Sequence, residues 1–308
     1  MNWQLTQGYL IGPGANLTGA ALTDANLTGA TLTGATLTGA NLHQALLPSA
    51  MPSLPVINGA VVKIVDTLAV SGSVQVDTGG NLWGMSGSFT AAGVNMQGGT
   101  VHGSMFGLDL DQIGDVSGHG QLFGHVDLGT SGTIAGSGAG LVLYGDVSGS
   151  GTLSGTTLFG TLNIGSSPGA ITLEDVTLSA AGTTTFEVAG IDPSQFDRLT
   201  LVGSVALDGT AQISFDSFTP DPSDTFQLID LTGGTASNWF SSVVAPAGWD
   251  PLDRRSAGRP RTLHATAGPF RRGPVAAPKA AAVVSGRCSG ACRNTPPGRH
   301  SLAALFSQ

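Results

Sequence analysis

Between Ala15 and Ser49 a leucine stands at every fifth position: Leu17, Leu22, Leu27, Leu32, Leu37, Leu42 and Leu47, each with an alanine two positions before it. A five-residue period fits neither the two-residue alternation of a strand nor the roughly 3.6-residue turn of a helix. Pro48, Pro52 and Pro55 then predict a linker. From Val61 to Gly190 the apolar positions come in short alternating runs, such as Leu68/Val70 and Val74/Val76, divided by Ser-Gly, Gly-Gly and Thr-Gly pairs. That pattern predicts many short strands and turns, and glycine is too frequent for a long helix interior. Over 171–231 the alternation lengthens, with Leu199/Leu201, Val205/Leu207 and Ala211/Ile213/Phe215 each on one face of a strand. Asp208-Gly209, between two of these runs, reads as a hairpin turn.

The Gly-rich stretch nearly repeats itself. Residues 114–130 return 31 positions later as 145–161, with ten of seventeen positions identical, including Gly-Asp-Val-Ser-Gly at both starts. Short β-prone runs punctuated by glycine and repeated in this way predict a solenoid, in which each coil hides its apolar face only by stacking on the next.

The seven consecutive pentapeptides of residues 15–49, from Ala-Asn-Leu-Thr-Gly to Ala-Leu-Leu-Pro-Ser, resemble the pentapeptide-repeat family. The resemblance implies a square right-handed β-helix with one pentapeptide per side, the seven leucines inward and the alanines at the corners. Seven sides are fewer than two coils, so the block is expected to cap something larger or to be the remnant of a longer array. The Ser-Gly-Ser-Gly-Thr-Leu coils, Gly165-Ser-Ser-Pro-Gly169, Phe196-Asp-Arg-Leu199 and Pro222-Ser-Asp-Thr-Phe226 resemble, over residues 60–245, the passenger-type β-solenoids of bacterial surface proteins, autotransporter-like and PEP-CTERM-sorted. What that implies is an exported, elongated structural or adhesive protein without catalytic residues.

Charge divides the chain. Residues 1–250 hold two basic residues, Lys63 and Arg198, against 19 of the 20 acids, a net −17; residues 251–308 hold ten basic residues and Asp253, a net +9. Arg254-Arg255, Arg259, Arg261 and Arg271-Arg272 lie among Ala, Pro and Gly without usable periodicity. Either this is a basic arm for an anionic partner or an out-of-frame translation of GC-rich DNA; the abrupt reversal at Pro251 favours the second. Residues from about Asp253 are therefore expected to add no fold. Residues 1–250 contain no cysteine, which excludes disulfides and thiolate metal sites there. No run of 18 apolar residues occurs, so no membrane span is expected. The first ten residues lack the basic and apolar regions of a signal peptide, which predicts truncation at the N-terminus if the protein is exported.

Candidate chemistry is sparse. Asp109, Asp111 and Asp115 invite a calcium reading but lack EF-hand spacing, and Asp115 recurs as Asp146, which points to a turn role. His102, His119 and His125 could hold zinc, yet the 31-residue repeat sets Ser150 against His119 and Thr156 against His125, so the positions read as simply polar. Glu174-Asp175 and Asp192/Asp197 could serve a polysaccharide hydrolase or lyase, but neighbours in a strand face opposite ways. Cys288, Cys292 and His300 make at most three ligands where a closed zinc site needs about four.

The expectation is an all-β chain: a right-handed β-helix or solenoid with a pentapeptide segment at 1–50, a Gly-rich solenoid at 51–170, an alternating-strand cap at 171–250 and a disordered basic tail at 251–308. It carries no catalytic, cofactor-binding or metal residues and no cofactor. Its expected role is that of an exported, non-enzymatic surface, matrix or adhesive element whose partner is an extracellular polysaccharide or a cell surface, with no nucleic acid. A carbohydrate-active enzyme is the first alternative. A pentapeptide-repeat DNA mimic is the second, although the seven repeats hold one acid, Asp24.

Overall fold

The computed structural model describes residues 3–64, 68–84, 89–103, 108–109, 114–165, 168–221, 224–231, 233–247, 249–253 and 263–267. All of these lie in one compact unit, Met1–Pro269. The described secondary structure is entirely β, and no helix among the described residues is long and apolar enough to cross a membrane.

The chain opens with an antiparallel hairpin, Gln4–Thr6 against Tyr9–Ile11. Gln7 and Gly8 both take positive φ, the turn whose twist matches paired strands. The hairpin lies across the outer edge of the first pentapeptide coil. The Gln4 and Gln7 side-chain amides donate to Asn26 O and Thr23 O, and the Ala21 N–H donates to the Tyr9 hydroxyl at 3.1 Å.

In the pentapeptide block Leu17, Leu22, Leu27, Leu32, Leu37 and Leu42 are fully buried. Leu47, the seventh of the series, is only partly buried and packs at the edge of the core. Each side closes on a tight turn, as in Ala20 N–H to Leu17 O at 3.0 Å and Ala40 N–H to Leu37 O at 2.9 Å. Successive coils meet through single bridges, Asn16 with Thr36, Ala21 with Asn41 and Asn26 with Leu46, always twenty residues on. Four sides of five residues therefore make one coil.

No linker follows. Ala50–Met51 and Leu54–Val56 are strands that pair in parallel with Leu68–Val70 and Ser73–Asp77, and Leu54 meets Val74 at the same twenty-residue step. Pro55 is tolerated inside a strand because that strand ends its sheet, where a missing N–H breaks no ladder on the open side. The junction is bonded as well as packed: Gln44 N–H donates to Val61 O at 2.9 Å, and Val61 N–H donates to His43 Nδ1 at 3.0 Å.

Beyond it the coils stack in two long parallel sheets. One runs from Leu54–Val56 through Gly93–His102, Val116–Phe123 and Gly132–Tyr144 to Arg198–Ala206; the other runs from Leu108–Asp109 through Val147–Gly149 and Thr183–Val188 to Ser242–Val244. The core is built of in-register columns. Leu54, Val74, Val94, Val116, Ile134, Leu153, Leu173 and Leu201 follow one another strand by strand and are all buried. So are Val62, Leu82, Val101, Leu122, Leu143, Leu158 and Leu178.

The structure alters four readings of the sequence. The 31-residue repeat is not one coil: Val116 lies in the first sheet, paired with Ile134, whereas Val147 lies in the second, paired with Val126. Gly-Asp-Val-Ser-Gly is a corner module used on either sheet, so His119 and Ser150, or His125 and Thr156, do not occupy equivalent places. Thr156 is in fact a core residue, 3% exposed. Asp208-Gly209 makes no hairpin, because Arg198–Ala206 and Thr210–Phe215 belong to different sheets and the pair turns the corner between them. Finally, the tail adds some fold. Leu263–Ala267 pairs antiparallel with Thr225–Gln227 and with Trp249–Asp253, consistent with the alternation of Leu263, Ala265 and Ala267 with His264 and Thr266. Residues 254–262 and 268–308, with all ten basic residues of the tail and with Cys288, Cys292 and His300, lie outside the described residues.

Candidate functional site

The residue that follows each member of the second core column stands outside the core, at the corner where the chain leaves the first sheet. In register these residues are Lys63, Trp83, His102, Phe123 and Tyr144. Phe159 comes next, its N–H donating to Leu143 O at 2.9 Å. The five rings form one ladder. Centroids lie 3.7 Å apart from Trp83 to His102, then 4.9, 4.7 and 5.2 Å on to Phe123, Tyr144 and Phe159, with interplanar angles of 11–13° throughout. The spacing is that of parallel strands, about 4.8 Å, so backbone register imposes the stack. Trp83, Tyr144 and Phe159 remain exposed. Packing between its neighbours lowers the tendency of His102 to take a proton.

A glycine follows every ring, at 84, 103, 124, 145 and 160. A Cβ on Gly145 would overlap Gly124 O, and one on Gly160 would overlap Gly145 O, so main chain packs on main chain beside the ladder. After the last three of these glycines the next residues are polar: His125, Asp146 and Thr161. The arrangement is an aromatic ridge, a strip of bare backbone and a polar margin. The ladder was not foreseen, although an aromatic-Gly pair recurring once per coil was a signal that the sequence did carry.

The residues weighed as chemistry do not converge. Asp115 Oδ1 accepts the Thr133 N–H at 2.9 Å, Asp146 Oδ1 accepts the Thr161 N–H at 2.8 Å and Asp175 Oδ1 accepts the Ser204 N–H at 2.8 Å. Each acid thus ties its own corner to the next coil. Asp197 is buried and accepts the Gly169 and Glu187 N–H groups, both at 2.7 Å. Burial pushes its carboxyl up to about 6, against the two N–H groups that favour ionisation and with the nearby Glu187 raising it further. Asp192 is exposed and is held below the usual carboxylate range by the hydroxyl and N–H of Ser194. The Asp192/Asp197 pair is therefore one solvated loop acid and one buried staple.

His102 stands in the ladder, His119 in the strand paired with Gly93–His102, and His125 Nε2 lies 3.1 Å from Ser148 Oγ. Asp109 ends the short strand Leu108–Asp109, and Asp111 lies outside the described residues. Among the described residues no three His, Cys, Asp or Glu side chains gather as metal ligands. An open depression of about 310 Å³, lined by Thr33, Met51, Pro52, Val70, Ser71 and Thr90 among others, has no ionisable lining residue.

No curated protein and no solved structure matches the chain. No match therefore bears on the passenger-type resemblance of residues 60–245. The family model for pentapeptide repeats matches residues 14–47, in eight copies, so that this segment is a pentapeptide-repeat array.

Proposed function

We propose that the protein is a right-handed β-solenoid that acts, without catalysis, as an exported cell-surface, matrix or adhesive element. Handedness follows from the general rule that crossovers between parallel strands of one sheet are right-handed. The observation that carries the non-catalytic reading is the use of the acids: Asp115, Asp146, Asp175 and Asp197 each accept main-chain N–H groups from other parts of the coil stack. A glycosidase or lyase would need such groups free and facing one another across a groove. DNA mimicry finds only Asp24 in the pentapeptide block, and that residue turns a corner at positive φ. A stack of coils suits a surface role because it presents the same kind of side chain at each step along its length. The four segments at 1–50, 51–170, 171–250 and 251–308 belong to the same proposal. Fractionation of the producing cells with an antibody against residues 1–250 tests the placement: the protein should collect in the surface or extracellular fraction. Confinement to the cytoplasm would contradict the proposal.

A further inference from the structure

The aromatic ladder ends differently on its two sides. Beyond Trp83 the next register position is Lys63, an exposed, charged chain and the only lysine of residues 1–250. Beyond Phe159 the column continues with Ser179, whose N–H donates to Leu158 O at 2.9 Å, and then with Asp208, since Thr177 pairs with Ala206 two positions earlier. A serine fills little of a position that the five preceding rungs fill with a ring. The outward face of Phe159 is accordingly open, and Phe159 is the most exposed ring of the ladder at 51%, against 39% for Trp83 and 38% for Tyr144. In the neighbouring strip Gly160, Gly182 and Gly209 succeed one another, a Cβ on Gly182 standing 2.7 Å from Gly160 O, and only the small Ala180 and Ala181, both exposed, lie between Ser179 and Gly182.

We propose that this vacant rung is a binding site for one pyranose ring of a neutral glycan, which stacks on Phe159 as a sixth ring of the ladder. The site limits the shape of its occupant, because a ring with one broad C–H face, such as a pyranose chair, fits the space one strand spacing from Phe159 and continues the 4.7–5.2 Å series. It prescribes polarity as well. The C–H face of a sugar suits the ring of Phe159, while the next two positions, Ser179 and Asp208, offer a hydroxyl and a carboxylate to sugar hydroxyls. Asp208 already holds its own corner through the Gly209 N–H at 2.7 Å, so its carboxylate is fixed in place before any sugar arrives. Charge selects a neutral sugar: residues 1–250 carry a net −17, which repels acidic glycans, nucleic acid and anionic lipid. The inference rests on the surface reading for the source of the glycan, and on the ladder alone for the site.

The test uses the full chain, titrated calorimetrically with cellohexaose, xylohexaose, mannohexaose and maltohexaose. At least one should bind, with sugar-ring protons shifted upfield by Phe159 in the NMR spectrum of the bound glycan. Ser179→Phe supplies the missing ring from the protein itself and should abolish binding while leaving the melting temperature equal or higher. Phe159→Leu keeps apolar bulk without a flat face and should weaken binding about tenfold, the loss of one aromatic stack. Binding unchanged in both variants, or no binding of any of the four glycans by the unaltered chain, overturns the site. So does a dimer in sedimentation velocity that Ser179→Phe disperses, since a second copy would then be the occupant. Cell fractionation reads the surface role separately, so a cytoplasmic protein that binds glycan at Phe159 and a surface protein that does not are distinct results.

Discussion

The pentapeptide block and the coils that follow share one core and one stacking direction, yet they hold their coils together by different means. From 14 to 47 the coils meet through isolated bridges and single main-chain bonds at the turns, such as Gly19 N–H to Thr38 O, every coil has the same length, and the interior is almost uniformly leucine and alanine. From residue 54 onward strands reach thirteen residues, as in Gly132–Tyr144, and coil length drifts: Leu54 meets Val74, Val116 meets Ile134 and Ala211 meets Val243. The later coils gain continuous ladders, a ring stack and corner acids that bind the next coil. A short fixed period builds a coil by turns, whereas a drifting one has to be held by register.

Glycine gives the sharpest way to break this comparison. Gly118 has φ +109°, and a Cβ there would overlap Met96 O of the neighbouring coil; Gly29 has φ +74° with nothing within 4 Å. Gly118→Ala should therefore cost about 3 kcal/mol or more, combining backbone strain with a main-chain clash. Gly29→Ala should cost about 1 kcal/mol, from the left-handed conformation alone. Urea unfolding of both variants compares them, and equal losses would mean that the two regions use glycine for the same reason.

A second break falls on the buried staple. Asp197→Ala leaves the Gly169 and Glu187 N–H groups without their acceptor, at about 3 kcal/mol. Its pH dependence has a definite sign. The folded-state value of about 6 lies above the ordinary 3.8, so the native protein holds the extra proton between them. The stability from this group is complete below the ordinary value and is lost as pH rises through about 6. Urea midpoints at pH 4.5 and 7 should show that slope in the parent, and Asp197→Asn should flatten it.

The smallest effect is a gain. Thr156 Oγ1 is buried without a hydrogen-bond partner, in register with Leu141. Thr156→Val replaces the hydroxyl by a methyl of similar size and should stabilise by about 1 kcal/mol. A lower melting temperature would show that the hydroxyl has a partner in solution.

These contrasts also explain what the sequence could reveal. The pentapeptide array was legible because its geometry is local: Leu17 to Leu42 recur every fifth residue, and a turn closes within each five. Short strands in place of long helices were legible from glycine frequency and alternation, and their stacking into coils from the internal repeat. Coil length in the later part was not, because Gly-Asp-Val-Ser-Gly serves corners of either sheet and its 31-residue spacing spans more than one coil. The hairpin over the first coil escaped notice because Gln7-Gly8 is not a common pair at a tight turn. The ladder escaped for a physical reason: Trp83, His102, Phe123, Tyr144 and Phe159 are unevenly spaced in sequence and meet only once the register between strands is known.

The central claim is that pentapeptide coils and later coils form one continuous stack, with no linker at 48–55. Amide hydrogen exchange across the junction tests it most directly. Gln44 N–H, bonded to Val61 O, Val61 N–H, bonded to His43 Nδ1, and Ala69 N–H, bonded to Ser49 O, bridge the two regions. Their opening free energies should fall within about 1 kcal/mol of those for Leu17 and Asn41 inside the block, as members of one cooperative unit do. Exchange at the rate of an unstructured peptide at Gln44, Val61 and Ala69, with Leu17 and Asn41 still protected, would contradict the account.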